Sequence, residues 1–156
     1  MGFDGIKPFI DDCKKYNKGL FILVKTSNKS SSEIQDIVLS NGKHMYEHVA
    51  QLVDEWSMDL IGKYGYSSIG AVVGATYPKQ VSLLRKILLR SYLLLPGYGA
   101  QGATADDVSA AFDKNGIGAI VNASRSIIYA YNSDKWKHIY GEEGFDEAAR
   151  AEILEM

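Results

Sequence analysis

Four apolar segments, each followed by helical sequence, limit the folds open to this chain more than any other feature. A strand that is apolar at every position has both faces covered, as in parallel sheets with helices packed against them. Parallel strands also need a crossover connection, which is usually a helix. The sequence therefore predicts an α/β fold with a parallel sheet. The four predicted strands are residues 20–24, 69–75, 92–95 and 117–122.

Helical segments lie between these strands and begin at residues typical of helix starts. Pro8 opens an apolar-periodic stretch that ends at Tyr16, since proline is tolerated in the first helical turn. Residues 44–63 have apolar positions at three-and-four spacing, which indicates an amphipathic helix. Thr104 is the predicted N-cap of a helix over 104–114, with two aspartates in its first turn. Further helices are predicted from Pro78, over 125–131, over 145–154, and briefly within the loop 30–41.

The composition describes one globular unit without a nucleic-acid partner. The chain has 156 residues, 46% hydrophobic and 23% charged, which is enough apolar material for one core. We expect residues 1–156 to form a single domain. The net charge is −2, and charges of both signs are scattered along the chain. The absence of a basic stripe argues against nucleic-acid binding and leaves a small anionic ligand open.

Cysteine usage and hydropathy predict a cytoplasmic protein. Cys13 is the only cysteine, so we expect neither a disulfide framework nor a cysteine-rich metal site. The N-terminus lacks the basic-then-apolar pattern of a signal peptide. No apolar run approaches the roughly 18 residues that a membrane span needs. We therefore expect no membrane association.

The glycine-rich turn after the third predicted strand indicates an anion site. Residues 93–104 read as an apolar strand, the turn Pro-Gly-Tyr-Gly-Ala-Gln-Gly and a capped helix. A weaker form returns at 117–128, where Arg125 begins a short helix. Two neighbouring strands thus end in groups suited to one phosphate, as in the last units of an eight-stranded barrel.

An open dinucleotide-binding sheet is the less favoured alternative. Residues 97–102 match Gly-x-Gly-x-x-Gly literally. Pro96 precedes the match, however, and no acidic residue closes the next strand, so the fingerprint lacks its proper context. We therefore predict half of a (β/α)8 barrel, with about four strand-helix units.

Four motifs together resemble those of orotidine 5′-monophosphate decarboxylase, in its longer bacterial subfamily. The motifs are FILVKTSN at 21–28, IGAVVGATYP at 69–78, LPGYGAQG at 95–102 and IVNASRSIIY at 120–129. The resemblance spans about residues 2–149, with the motifs in the right order. That family is a homodimeric TIM barrel of eight strand-helix units, and this chain resembles its strands five to eight, the C-terminal half.

The resemblance implies a substrate-binding role for five residues. Ser27 resembles the residue whose hydroxyl and amide bind the pyrimidine edge. Pro96 and the loop after it resemble the segment packed on base and ribose, and Gln101 resembles the glutamine that links base and phosphate. Arg125 resembles the phosphate-binding arginine, together with the backbone N–H groups of Ser124 and Arg125. Other branches of the family usually have glycine at the Ser124 position.

The resemblance also implies a reaction whose catalytic residues lie outside this chain. The family converts orotidylate to uridylate and carbon dioxide in pyrimidine biosynthesis, with no metal or organic cofactor. Its Lys and Asp network lies on the second and third strands, where a Lys protonates C6 of the pyrimidine. We therefore expect no catalytic residue here, and an isolated chain that is inactive without the N-terminal half.

Other interpretations remain open at this point. Without the resemblance, Arg125 is an ordinary surface arginine, Gln101 a loop amide and Ser27 a turn residue. The chain could also be a non-catalytic phosphate-binding half-barrel or a regulatory fragment. A relative acting on another sugar phosphate should differ at Ser27 and Gln101, and their retention argues against it.

The sequence assigns no site to its remaining candidate side chains. Lys25 follows the first predicted strand, but no acidic partner is evident, so a solvated or interface role is expected. His44, His48 and His138 show no metal-ligand spacing. A half-barrel has two open strand edges and an uncovered apolar face. We therefore expect the chain to associate, either as a homodimer or with a complementary N-terminal half.

Overall fold

The computed structural model describes residues 2–99 and 101–156 and contains the predicted alternation of strands and helices. The strands are β1 (Leu20–Lys25), β2 (Ile69–Val73), β3 (Leu93–Pro96) and β4 (Ala119–Asn122). The helices are α1 (Phe3–Tyr16), α2 (Ser32–Gln35), α3 (Met45–Ser57), α4 (Pro78–Ile87), α5 (Ala105–Ser109), α6 (Ser124–Ile128) and α7 (Phe145–Glu155). Short 3-10 turns occupy Lys29–Ser31, Met58–Leu60 and Ala130–Asn132.

The four strands form one parallel sheet in chain order, β1-β2-β3-β4. Leu20 pairs with Ile69, and Leu93 pairs with both Ala71 and Ala119. The predicted parallel sheet is therefore confirmed. Because the strands point the same way, their carboxyl ends lie along one edge.

The two faces of the sheet differ, and only one is covered. On the covered face, side chains of the strands pack against α1, α3, α4 and α5 in one apolar core. Its buried members include Ala71, Val73, Leu93, Leu95, Val53, Val81, Leu84 and Val108. On the other face, Phe21 is 39% exposed, Leu23 63% and Ile120 46%.

The uncovered face corrects one expectation for the strands. The apolar run at 20–24 predicted cover on both sides, yet Phe21 and Leu23 alternate with residues of the core. In a complete barrel, the inner layers of side chains are contributed by all of the strands around the ring. A four-stranded sheet supplies only part of those layers.

Helix α1 begins five residues before the predicted start. Pro8 lies inside the helix instead of opening it. An interior proline removes one N–H donor and leaves a carbonyl of the preceding turn without its helical partner. Pro8 is exposed, so water can solvate that carbonyl, while Ile10 and Cys13 on the opposite side remain buried.

Two predicted helices are shorter than their apolar patterns suggested. Helix α3 ends at Ser57 instead of continuing to residue 63, and the Ser57 carbonyl accepts a hydrogen bond from Ser67 Oγ at 2.8 Å. Helix α5 ends at Ser109 instead of residue 114. There Asp113 Oδ1 accepts hydrogen bonds from the N–H groups of Asn115 and Ile117, at 2.7 and 3.1 Å. A side-chain donor thus binds the last carbonyl of α3, and a side-chain acceptor turns the chain after α5.

The predicted start of α5 is confirmed. Thr104 is the N-cap, and Asp107 Oδ2 accepts hydrogen bonds from the N–H and the hydroxyl of Thr104, both at 2.8 Å. These bonds, led by the one from the backbone, hold the pKa of Asp107 below its ordinary value. The arrangement fixes the point at which the glycine-rich turn passes into the helix.

We predict that Glu47→Gln removes part of the acid dependence of folding stability. The His44 N–H donates to Glu47 Oε2 at 2.8 Å, and this bond lowers the pKa of Glu47. A lowered folded-state pKa stabilises the protein above the unfolded value of about 4.3, and the gain is lost as pH falls through the folded value. Urea unfolding between about pH 6 and pH 3 should therefore show a shallower acid decline for the variant.

Glu55→Gln is the matched control, because Glu55 is an exposed glutamate of the same helix. Its free energy of unfolding should fall with acid as steeply as that of the unmodified chain. Parallel acid profiles for Glu47→Gln and the unmodified chain would contradict the capping role.

Candidate functional site

A pocket lies at the carboxyl ends of β3 and β4, and we call it the β3–β4 pocket. It has a volume of about 210 Å³. Four of the five predicted site residues line it, together with four of their neighbours in the sequence. The eight lining residues are Pro96, Gln101, Ser124, Arg125, Gly97, Tyr98, Asn122 and Ala123. Residues from two turns that are distant in sequence therefore meet at one place.

The glycine-rich turn forms one wall of the pocket. Gly97, Gly99 and Gly102 have φ of 109°, 67° and 96°, values that only glycine adopts readily. The Gly99 N–H donates to the Ala103 carbonyl at 2.9 Å, which closes the turn. Ala100 is outside the described residues.

Gln101 folds back over the start of this turn. A Cβ placed on Gly97 would be 3.5 Å from Gln101 Oε1 and 3.4 Å from a methyl group of Thr76. The Gln101 amide therefore lies beside Gly97 and Thr76, which follow the ends of β3 and β2. The exposed amide offers both a donor and an acceptor to a ligand.

The start of α6 forms the opposite wall. Ser124 and Arg125 are its first two residues, and both are exposed. The first N–H groups of a helix have no partner within it, and a guanidinium stays charged throughout the ordinary pH range. Ser126 Oγ donates to the Ala123 carbonyl at 3.0 Å and stabilises this first turn. The wall therefore presents donors and a positive charge, which suits an anion.

Ser27 lies at the same edge of the sheet but does not line the β3–β4 pocket. It follows β1, and its backbone lies so close to Gly74 that a Cβ on Gly74 would be 2.8 Å from Ser27 N. The Gly74 N–H donates to the Lys25 carbonyl, and the Ala75 N–H donates to the Pro96 carbonyl. The end of β2 thus joins the ends of β1 and β3. Since β1 and β3 are two strand spacings apart, Ser27 lies roughly 10 Å along the edge from Pro96.

Lys25 contradicts its predicted solvated or interface role. Its side chain is buried, and its Nζ lies 2.8 Å from Asp36 Oδ1 and 3.2 Å from Ser31 Oγ. The acidic partner was missed because it is eleven residues away in a polar segment without clear periodicity. Only the fold of that segment back over β1 brings the two charges together.

Tyr98 and Asn122 were also missed. Asn122 is the last residue of β4, and a polar residue at the carboxyl end of a barrel strand is a signal for a site. Tyr98 lies within the glycine-rich turn, where its hydroxyl donates to the Met156 carbonyl at 2.8 Å. No sequence pattern connects Tyr98 with the chain's last residue.

Neither a metal site nor a membrane span is found in the described part of the chain. No group of three or more His, Cys, Asp or Glu side chains within residues 2–99 and 101–156 is arranged to hold a metal ion. Across the same residues, no helix has the length and apolarity required to cross a bilayer. His44 instead lies at the start of α3, with its Nδ1 2.9 Å from Glu47 Oε2.

Comparison with known proteins identifies the family. A sequence model of the orotidine 5′-phosphate decarboxylase / HUMPS family matches residues 1–138. The chain belongs to this family. It is 51% identical over 133 residues to an orotidine 5′-phosphate decarboxylase of Caldicellulosiruptor bescii, covering 85% of this chain and 43% of the relative. The enzyme of that name from Rhodopirellula baltica is 44% identical over 156 residues, covering 100% of this chain and 51% of the relative.

Solved structures of similar proteins agree with the fold. A candidate orotidine-monophosphate decarboxylase from Toxoplasma gondii superimposes with a TM-score of 0.75 at 31% identity, over 99% of this chain and 57% of that one. An OMP decarboxylase from Leishmania donovani gives a TM-score of 0.69 at 25% identity, over 99% and 53%. The predicted half of a (β/α)8 barrel is confirmed. The chain spans about half the length of the curated relatives it matches, which is consistent with a C-terminal half.

We predict that Gly74→Ala destabilises the chain by displacing Ser27. The new Cβ would be 2.8 Å from Ser27 N and 2.9 Å from Ser27 Cα, and backbone atoms cannot move aside as a flexible side chain can. Overpacking of this kind costs about 1–3 kcal/mol. Urea unfolding should show the midpoint moving to lower denaturant.

Gly5→Ala is the matched control, because nothing lies within 4 Å of a Cβ at Gly5 in α1. Alanine inside a helix is favoured over glycine by about 0.5–1 kcal/mol, so this variant should be at least as stable as the unmodified chain. An unchanged midpoint for Gly74→Ala would refute the close packing of Ser27 on β2.

Proposed function

We propose that this chain is the phosphate- and pyrimidine-binding half of an orotidine 5′-phosphate decarboxylase. The observation that supports this most strongly is the β3–β4 pocket, where Pro96, Gln101, Ser124 and Arg125 meet. Its position at the carboxyl ends of the last two strands is the usual place of phosphate sites in (β/α)8 barrels. The curated relatives carry the name of this enzyme.

The phosphate of the nucleotide is bound at the start of α6 in this proposal. A guanidinium can donate two parallel hydrogen bonds to phosphate oxygens, and helix N–H groups add a fixed positive potential. Each charge-assisted bond contributes about 1.5–3 kcal/mol. Arg125 thus supplies the principal charge, and the N–H groups of Ser124 and Arg125 orient the anion.

The base lies toward β1, with Ser27 at its edge. The strand order sets the ends of β1 and β4 three spacings apart, or about 14 Å along the sheet. Gln101 and Pro96 lie between these ends, where the ribose and the base would pass. A nucleotide lying along this edge would therefore place its base near Ser27, its ribose near Pro96 and Gln101, and its phosphate near Arg125.

The reaction in this proposal is the decarboxylation of orotidylate to uridylate, as a step of pyrimidine biosynthesis. Binding energy from the non-reacting phosphate can hold the pyrimidine in a reactive position. Proton transfer to the pyrimidine requires a second chain segment. The lysine at the end of β1 is buried and paired with Asp36, so its charge is used within the fold.

The complementary N-terminal half, or a second copy of the chain, is the proposed partner. The edge strands β1 and β4 and the exposed side chains of Phe21, Leu23 and Ile120 are the surfaces that such a partner would cover. Residues 1–156 act as one unit in this proposal, in the cytoplasm, where the single thiol of Cys13 would stay reduced.

We predict that Arg125→Ala weakens uridylate binding by about tenfold to a hundredfold, because one or more charge-assisted bonds to the phosphate are lost. Isothermal titration of the chain with uridylate is the measurement. Arg150→Ala is the matched control, since Arg150 is exposed on α7 and does not line the pocket. Equal affinities for the two variants would rule out the phosphate site.

We predict that the isolated chain does not decarboxylate orotidylate and gains this activity with a complementary half. The half to add is the part of the Rhodopirellula baltica relative that this chain does not match. Light scattering after size exclusion should show the chain alone as a self-associated species, and the mixture as a complex of both halves.

Three outcomes of this experiment would count against parts of the proposal. Turnover by the chain alone would overturn the assignment of the catalytic residues to the other half. A well-folded monomer would overturn the expected association. A mixed complex that binds uridylate without turnover would favour a non-catalytic binding role.

A further inference from the structure

An ion pair between a buried lysine and a partly exposed aspartate lies beside the segment that carries Ser27. The Lys25 side chain is 1% exposed, whereas that of Asp36 is 36% exposed. Lys25 Nζ lies 2.8 Å from Asp36 Oδ1, 3.2 Å from Ser31 Oγ and 4.9 Å from the centre of the Tyr77 ring. A buried ammonium needs such partners, because it has given up its hydration.

The partners of Lys25 belong to a segment that also contacts the neighbours of Ser27. Residues 31–36 fold back over 25–28, and the Thr26 N–H donates to Gln35 Oε1 at 3.0 Å. On the other side of Ser27, the Ser31 N–H donates to the Asn28 carbonyl at 3.0 Å. Ser27 is thus fixed on both sides by the segment that ends at Asp36.

The third constraint on Ser27 comes from β2. The Lys25 carbonyl accepts from the Gly74 N–H at 2.7 Å, and the Ser27 backbone packs on Gly74. Within the described residues, the Ser27 hydroxyl forms no hydrogen bond of its own. The backbone is held in place while the hydroxyl stays available.

We propose that the Lys25–Asp36 pair is a positioning device for Ser27, and that it sets how strongly the chain prefers a pyrimidine nucleotide over a sugar phosphate without a base. The inference rests on the proposed function, because it takes Ser27 as the residue that contacts the base. Lys25 does not touch the ligand. It acts by holding residues 31–36 against β1, so its loss lets the Ser27 segment move.

The distance between the two parts of the site makes this role testable. Arg125 lies at the end of β4, three strands from Lys25. Loss of the ion pair should therefore affect contacts to the base and leave contacts to the phosphate unchanged. A general loss of structure would weaken both.

The test compares uridylate with ribose 5-phosphate by isothermal titration of Lys25→Met. Methionine removes the charge and keeps the length of an apolar side chain. Uridylate affinity should fall by about tenfold, the effect of one lost hydrogen bond, and ribose 5-phosphate affinity should stay within about twofold. Lys29→Met, at an exposed lysine of the 3-10 turn between β1 and α2, should change neither affinity.

A double-mutant cycle tests whether Lys25 affects uridylate binding through Ser27 or independently of it. If Lys25 acts through Ser27, then Lys25→Met should lower uridylate affinity less in a Ser27→Ala background than in the unmodified chain, because the hydroxyl contact is already lost. Additive losses would overturn the proposal, as would equal losses for both ligands. Asp36→Asn is the second variant, because its half-exposed site tolerates change, and it should shift the ratio of the two affinities in the same direction.

The affinities of the unmodified chain distinguish a failure of the proposed pyrimidine site from a failure of the positioning role. If it binds uridylate no more tightly than ribose 5-phosphate, the proposed pyrimidine site is wrong and this inference falls with it. If it prefers uridylate and both variants retain that preference, only the positioning role is overturned.

Discussion

The shared direction of the four strands is the constraint on which the candidate site depends. The polar residues that follow the four strands lie at one edge of the sheet only because β1 to β4 are parallel and in chain order. Backbone hydrogen bonds from Gly74 to Lys25 and from Ala75 to Pro96 fix that edge at the level of single residues. The register, set by the apolar face against the helices, thus also sets the geometry of ligand contacts.

Two cations at this edge have opposite surroundings, and the difference separates their roles. Arg125 is exposed at the start of a helix, where an arriving anion can reach it. Lys25 is buried and already neutralised by Asp36. One charge is therefore available to a ligand, and the other is used within the fold. Both residues lie at or just after the end of a strand in the sequence, so their positions in the sequence did not distinguish the two roles.

The sequence predicted features that depend on local chemistry. The apolar strands, the Thr104 cap and the glycine-rich turn follow from residues close together in the chain, and the structure contains all three. The motif resemblance predicted the family, which the comparison confirms. Four of the five predicted site residues share a pocket, while their roles remain predictions.

What the sequence missed depends on contacts between distant residues. The Asp36 partner of Lys25, the hydrogen bond from Ser67 that ends α3 and the turn made by Asp113 each require knowledge of how a loop folds back. Pro8 was placed at a helix start because that is its commonest helical position. Its exposed position inside α1 became clear only once the buried side of the helix was known.

The uncovered face of the sheet would couple assembly of the chain to ligand binding. In a (β/α)8 barrel the ligand site is built from loops around the whole ring, so a chain that covers Phe21, Leu23 and Ile120 would also enclose a nucleotide bound as proposed above. Assembly and ligand occupancy would then be linked equilibria, each favouring the other to the same degree. The apparent affinity for a nucleotide would rise with protein concentration, and saturating nucleotide would hold together halves that separate on dilution.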